Sequence, residues 1–561
     1  MPQGNDYEVA VLGGGIAGLT AALQLGQERP QTRIAVIEKQ KHPVEETAIK
    51  VGESVAEVAA IYLKDVLGLE DYLKEHQHRK MGLRWFCSSG DNDDITRRVE
   101  FGSRKYSPLY NFHVDRGGLE NHMTELARER GVEVLDGSRV SDVEFAREGH
   151  TVFLERDGRK QQLTADWVID STGRAAMLRR KLDLGLNLPI DANASWFRIP
   201  YQICIDEWSD DPAWREQVPT GTRWKSTISF IGEGYWVWVI NLGSGSCSVG
   251  VVADPRYVPF DRIRRYDAVI EFLREKEPQL ASYLPDGEDE LMDFRKRMRF
   301  SYGCTRAFSR DRWCLTGEAA CFVDPLYSTG LDFTAVGNTL AADLISRGLD
   351  GADESEMRAQ VRAHNRTMVG LLTFAAPLFE GQLVVYREPQ VAGAKFVWDN
   401  ASYFSVLLNL FKNGLLTDPA FGKSIQDQLA LNTQMNFYMQ ESFRTWARDD
   451  WDIRAAGVPV GRDELWNDLF FTATKELSKD GLRAHIARSI ARLHSLTREM
   501  TIRFCEAAGR PVPDDPFEAV PLGDEQLLEW GEYDGNGQPF ALKDDTDVTW
   551  HVHPAPSLTA A

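Results

Sequence analysis

Tyr7-Glu8-Val9-Ala10-Val11-Leu12 runs directly into Gly13-Gly14-Gly15-Ile16-Ala17-Gly18, and the residues that follow, Leu19 to Gln27, repeat apolar side chains at helical spacing. That order reads as strand, glycine turn and helix. A second apolar run, Ile34 to Ile37, ends in Glu38, 20 residues after Gly18. A carboxylate at the tip of the second strand accepts hydrogen bonds from a ribose, so the stretch is a complete βαβ dinucleotide-binding signature. Gly13 permits the tight turn, Gly15 lets the backbone approach a pyrophosphate, and Gly18 allows close helix–strand packing. The helix N-terminus brings amide donors and partial positive charge to the phosphates.

Two further stretches repeat the theme. Asp166-Trp-Val-Ile-Asp170-Ser-Thr-Gly173 and Trp313-Cys-Leu-Thr-Gly317-Glu318-Ala-Ala320 are apolar strands ending in small-residue turns. With the first unit they bring three strand ends to one edge of a sheet, where open α/β folds bind ligands. Asp115-Arg116-Gly117-Gly118-Leu119 adds an arginine ahead of a helix. The segment 196–253 differs, with alternating runs separated by turns, and predicts an antiparallel sheet inserted into the nucleotide-binding domain. Beyond Gly351 helical periodicity dominates, and Asp, Gly and Pro accumulate after Gly535. The expected division is 1–195 and 301–350 for the α/β domain, 196–300 for the antiparallel substrate sheet, 351–534 for a helical C-terminal domain and 535–561 for a loose tail.

Composition narrows the functional classes. The 561 residues, 43% apolar and 26% charged, suffice for two or three packed domains. A formal net charge of −20 repels nucleic acid and anionic membranes. Seven cysteines are scattered without a C-x-x-C pair, as expected of reduced buried thiols in a cytoplasmic protein. No basic, then apolar leader opens the chain, and the apolar run Ser405 to Phe411 is too short to span a bilayer, so no membrane span is expected. H-E-x-x-H, G-x-S-x-G and Walker patterns do not occur, and no metal site is expected.

Together the three strand ends and Arg116 resemble the FAD-binding pattern of the flavoprotein monooxygenase superfamily over roughly the first 350 residues. The details are most similar to the flavin-dependent halogenases. Gly52-Glu53-Ser54-Val55 looks like their flavin-side loop, and Phe322-Val-Asp324-Pro325-Leu-Tyr327-Ser328-Thr329-Gly330 fits their F-x-x-P-x-x-S-x-G motif. The resemblance implies a cofactor-binding set of Gly13, Gly15, Ala17, Gly18, Glu38, Ser54, Val55, Arg116, Gly317, Glu318, Pro325, Gly330 and Leu331. It places chloride or bromide on the amides of Thr329 and Gly330, a concave anion site built from successive N–H groups. Trp236-Val-Trp238-Val-Ile240 resembles the flavin-proximal W-x-W-x-I-P motif, with Asn241 in place of proline; a core aromatic pair on one strand face is the other reading.

The implied reaction uses FAD as FADH2 and O2 to form a flavin hydroperoxide, which oxidises halide to hypohalous acid. A lysine then relays the halogen to an electron-rich aromatic. Lys80, in His78-Arg79-Lys80-Met-Gly-Leu, is the best match, the alternative being a solvated lysine among His76, His78 and Arg79. Tyr327 and Ser328 complete the implied catalytic set. Tryptophan-specific members carry glutamate where this chain has Tyr327, a departure that speaks against free tryptophan; a tyrosine can orient a phenol or pyrrole by hydrogen bonding but cannot stabilise a cationic intermediate as a carboxylate can. Glu318 replaces the usual aspartate of the third FAD strand with a longer arm of the same charge. No second βαβ unit for a nicotinamide cofactor is visible, so reduced flavin is expected from a separate reductase, and the substrate is a small aromatic, free or carrier-tethered. A monooxygenase or oxidase of the same fold is the second reading, favoured by Asn241. A non-catalytic flavin-fold binding protein is the third, and the intact glycine turn argues against it. The aromatic-rich stretch Phe396 to Phe411 is either core or a pocket wall in which Trp398 or Phe404 stacks on substrate.

Overall fold

The parallel strands Trp313–Leu315, Arg159–Asp170, Tyr7–Leu12, Ile34–Ile37 and Glu133–Leu135 lie side by side in that order in a computed structural model describing residues 6–46, 50–518, 526–531 and 551–553. Leu12 pairs with Ile37 and Asp170, and Asp170 with Leu315, so the three ends expected to converge do so on one edge. Val9 to Leu12 and Ile34 to Ile37 are buried throughout, as strands covered on both faces require. The helix Ile16–Glu28 covers one of those faces together with Gly330–Leu349 and Arg116–Glu129.

The second sheet runs Asp293–Met298, Asn193–Ile199, Cys247–Ala253, Tyr235–Asn241, Thr227–Gly232, Leu83–Cys87, Glu100–Gly102 and His551–His553. Its core strands match the antiparallel runs read from the sequence. Three partners do not: Leu83–Cys87, far upstream, joins Thr227–Gly232 in parallel and brings Glu100–Gly102 with it, and His551–His553 pairs with Glu100–Gly102 in turn. Both faces are covered. Trp196, Trp236, Trp238 and Ile240 face the large core shared with the α/β domain, while Phe197, Val237 and Val239 pack with Tyr266 and Phe272 of the helix Tyr266–Lys276.

After residue 350 the described chain is mainly helical. Pro389–Ser405 is central, packed against Gln426–Trp446, Lys479–Ala507 and the short strand Val458–Gly461. Among the described residues, Glu354–Arg387 contains one window long and apolar enough to cross a membrane by length and composition, and 56% of that window is buried inside the protein, as in the core helix of a globular domain. The expected loose tail 535–561 falls outside the described residues apart from His551–His553, which pair with Glu100–Gly102.

Candidate active site

The glycine turn is shaped by two steric requirements. Gly13 sits at φ +102°, and a side chain there would lie 2.6 Å from the Ser171 carbonyl oxygen. A side chain on Gly18 would lie 1.9 Å from the Gly13 oxygen. Gly15 is different: a Cβ there would meet only Glu120 Oε1, at 3.9 Å, so protein packing does not demand glycine at this position. The open space above it suits a pyrophosphate. Glu38 Oε2 accepts the Gly14 amide at 2.7 Å, which holds the carboxylate at the strand tip. Arg116 donates to Val51 O and to Glu120 Oε1, while its buried Nε has no protein partner among the described residues. Gly317, at φ +57°, lies against Ala17, and the adjoining Glu318 faces Arg174, Arg116 and Arg297. Burial pushes the Glu318 carboxyl up, against the pull of those cations. An orphaned arginine N–H, an open glycine cradle and two acids at strand ends along one sheet edge fit the phosphates and polyols of FAD.

The motif loop 322–330 enters the helix Gly330–Leu349, whose N-cap Thr329 makes no side-chain cap bond, so the first-turn amides have no intrahelical partner. Ser328 takes φ +61°, a left-handed turn that redirects the chain before those amides. Its N–H donates to the Pro325 carbonyl at 3.0 Å, and its hydroxyl donates to Ser54 Oγ at 2.9 Å. Leu331 packs in the helix's first turn, where Asp332 accepts the Ala59 amide and the Tyr403 hydroxyl. Burial pushes the Asp332 carboxyl up to about 7.

Lys80 is not a surface lysine. It closes the strand His78–Lys80, which pairs with Asn111–His113, and is 3% exposed. Its Nζ donates to Ser54 Oγ at 2.9 Å and to Val55 O at 3.1 Å. Burial lowers its pKa to about 8, with Glu57 and Asp332 opposing the shift. The flavin-side loop, the motif loop and the lysine therefore meet at one serine.

Trp236 forms part of the wall of a cavity of about 350 Å³ that also takes in Asp324, Leu326, Phe379, Tyr386 and Arg444. Trp238 packs over Gly250 and donates to Ser248, so the two tryptophans share a face but not an environment. Tyr327 stacks on Trp85 at 5.6 Å between ring centroids and donates to Asp399. Asn241 is wholly occupied within the sheet: Oδ1 accepts the Ile203 amide, and Nδ2 donates to the Ile203 and Trp224 carbonyls. A proline here would make none of these three side-chain bonds.

Of the two readings of 396–411, the packing favours core. Trp398 is fully buried and donates to Asn436, and Phe404 packs on Phe470 at 4.5 Å. The sequence reading also missed His113, Thr227, Lys395 and Asp399. Only the last two carried a local signal, an i,i+4 acid–base spacing on one helix.

Comparison with known proteins bears on the fold and the family. Residues 95–374 match the family model for tryptophan halogenase, and residues 7–181 match that for pyridine nucleotide-disulphide oxidoreductase. The flavin-dependent halogenase chlA of Dictyostelium discoideum is 26% identical over 465 residues, covering 76% of each chain. The 1H-pyrrole-2-carbonyl-[peptidyl-carrier protein] chlorinase of Pseudomonas fluorescens is 27% identical over 371 residues, 63% of this chain and 78% of its own. Among solved structures, halogenase PltM in complex with phloroglucinol and FAD superposes with a TM-score of 0.67 at 19% identity, covering 91% of this chain and all of that one. With Lys80, Ser54 and the motif loop converging beside an FAD-shaped cradle, the chain belongs to the flavin-dependent halogenases.

Proposed function

We propose that this enzyme uses FADH2 and O2 to install chloride or bromide on an electron-rich phenol or pyrrole, with Lys80 carrying the halogen electrophile to the ring. The observation that supports this most directly is the Lys80 amine, buried, lowered to about 8 and hydrogen-bonded to the serine that also binds Ser328. Gly13, Gly15, Ala17, Gly18, Glu38, Arg116, Gly317 and Glu318 hold the dinucleotide, and Ser54, Val55 and Pro325 line its reactive end. Bound reduced FAD supplies, with O2, the oxidising power that converts halide to a hypohalous electrophile.

The amides of Thr329 and Gly330 hold the halide. The helix N-terminus stabilises that anion without a competing cationic side chain. Trp236, Phe379 and Tyr386 give the adjoining cavity an aromatic lining for a ring-sized substrate. At about 350 Å³ the cavity suits one aromatic nucleus and a short attachment. Reduced flavin comes from a separate reductase, and the aromatic arrives free, or tethered to a carrier as the name of the Pseudomonas relative states for that enzyme.

The test supplies a flavin reductase, NADH, FAD, chloride or bromide, and phenols, indoles and pyrroles, both free and carrier-loaded. Products with the isotope pattern of the halide supplied are expected. Hydroxylated products whose yield ignores halide would instead establish the monooxygenase reading. A protein that binds no added FAD would leave only the binding-protein reading.

A further inference from the structure

The polar groups behind Lys80 form one directed chain. His113 is fully buried, and its Nδ1 lies 3.0 Å from the main-chain oxygen of Asn241. A carbonyl only accepts, so Nδ1 carries the hydrogen. Burial and the nearby charge of Lys80 hold the imidazole pKa well below its ordinary value, so the ring is neutral and Nε2 is bare. Thr227 Oγ1, 2.9 Å away, must donate to Nε2. With that hydrogen committed, Thr227 accepts from Ser54 Oγ at 2.7 Å. Ser54 then has no hydrogen left for Lys80 or Ser328, each 2.9 Å away, and accepts from both. The second partner of Lys80, Val55 O, is also an obligate acceptor.

A neutral primary amine has two N–H bonds and one lone pair. Both hydrogens of Lys80 have acceptors that cannot donate back, which leaves the lone pair free of a protein donor along this chain. We propose that His113, acting through Thr227 and Ser54, is a positioning residue that fixes hydrogen-bond polarity at Lys80 and keeps the amine lone pair open to the electrophilic halogen. The inference rests on the relay role proposed for Lys80. When the lone pair attacks hypohalous acid, the N–X bond forms as the O–X bond breaks, and hydroxide takes one amine proton to leave as water. Transfer to the ring then forms C–X, breaks N–X and returns the ring proton to the nitrogen.

Two measurements test the proposal. In [15N]histidine-labelled protein as purified, His113 should show a protonated Nδ1 and a bare Nε2 from pH 6 to 8; an imidazolium or the opposite tautomer overturns the inference. Thr227→Val frees the Ser54 hydroxyl to cap the amine lone pair. Halogenation kcat should fall roughly tenfold with KM for the aromatic unchanged, and the acidic limb of the pH–kcat profile should move to lower pH, while Thr227→Ser keeps parent behaviour. The charged and titratable groups around Lys80 are Glu57, Asp332, His113 and His78, all left in place by these variants. Parent kcat and pH profile in Thr227→Val would overturn the chain. If Lys80→Met abolishes halogenation while Thr227→Val does not alter it, only this inference fails; if Lys80→Met halogenates normally, the relay reading falls and takes the inference with it.

Discussion

The hydroxyl of Tyr327 donates a 2.6 Å hydrogen bond to Oδ2 of Asp399, which is paired in turn with the fully buried Lys395 at 2.8 Å. Gln440 closes the cluster by donating to Asp399 Oδ1 at 2.7 Å and accepting from Lys395 at 2.6 Å. Since the phenol hydrogen is committed to Asp399, the Tyr327 oxygen is left as an acceptor. It can therefore orient a substrate that brings its own donor, a phenol O–H or pyrrole N–H. Tyr327→Phe should lower kcat/KM for such substrates about fivefold, the worth of one hydrogen bond of roughly 1 kcal/mol, and should leave O-methylated analogues unaffected. Equal losses on both substrate types would assign Tyr327 to packing. Asp399→Ala is a poorer test, because it strands the Lys395 charge at a cost of about 3–5 kcal/mol.

Lys80→Met preserves length and burial while removing the amine. The variant should lose halogenation by more than about 100-fold, the scale of an essential group in covalent relay, yet bind FAD and release peroxide from NADH-coupled turnover at the parent rate. Mass spectrometry of the aromatic product and a peroxide assay decide the matter together. Retained halogenation removes Lys80 from the chemistry.

Gly15→Val addresses the cradle. Only Glu120 Oε1 approaches the position, so the substitution should fold normally but place a branched side chain where the pyrophosphate belongs. Equilibrium titration should show FAD affinity falling at least about 100-fold with Tm unchanged. Normal affinity would relocate the cofactor.

What the sequence made legible was whatever sits within a few residues of itself. The glycine turn, the helix after it and Glu38 at its strand end were read from neighbouring residues, although what crowds Gly13 is the distant Ser171 carbonyl and Gly15 is left open toward a ligand rather than required by packing. Lys80 is picked out by the order of motifs, but its surroundings are not readable from the sequence. His78-Arg79-Lys80 looks like a solvated run, and burial comes only from pairing with Asn111–His113 and from the overlying Ser54 loop. His113, Thr227 and Ser54 belong to segments separated by up to 173 positions, so no spacing rule could join them. Asn241 was opaque for a related reason: in the sequence it stands only as a departure from a motif, and its bonds to Ile203 and Trp224 within the sheet emerge from the fold alone.

Asp324, in the motif loop, is 4% exposed and accepts the Leu326 amide at 2.9 Å. Burial pushes its carboxyl up to about 7, against the pull of that amide and of Lys395. The folded protein keeps this proton where the unfolded chain has lost it, so the contribution of Asp324 to stability falls as pH rises from about 4 to about 7. Above that range the buried charge costs on the order of a few kcal/mol. Asp324→Asn keeps an oxygen for the Leu326 amide and cannot ionise. Its Tm should exceed the parent's at pH 8 and equal it near pH 4. A pH-independent difference would show that the carboxyl does not titrate in this range.

The substrate end can be tested by contrasting two phenylalanines. Phe404 is 1% exposed and packed on Tyr403 and Phe470, away from the cavity, whereas Phe379 lines the cavity and lies 5.8 Å from the Tyr327 ring. Removing a ring from a closed helical core leaves a void, so Phe404→Ala should cost about 3–5 kcal/mol and lower Tm sharply. The fraction that remains folded should give the parent product ratio. Phe379→Ala enlarges a space that already exists, so its stability cost should be smaller. With one wall of the cavity gone, the ring can turn relative to Lys80, and the ratio of regioisomers or the range of accepted substrates should change. The two variants therefore separate by opposite patterns, read by calorimetry and product analysis on the same preparations. Should Phe404→Ala shift the product ratio at parent Tm while Phe379→Ala does not, the substrate lies under the helix Pro389–Ser405, and the 350 Å³ cavity serves something else.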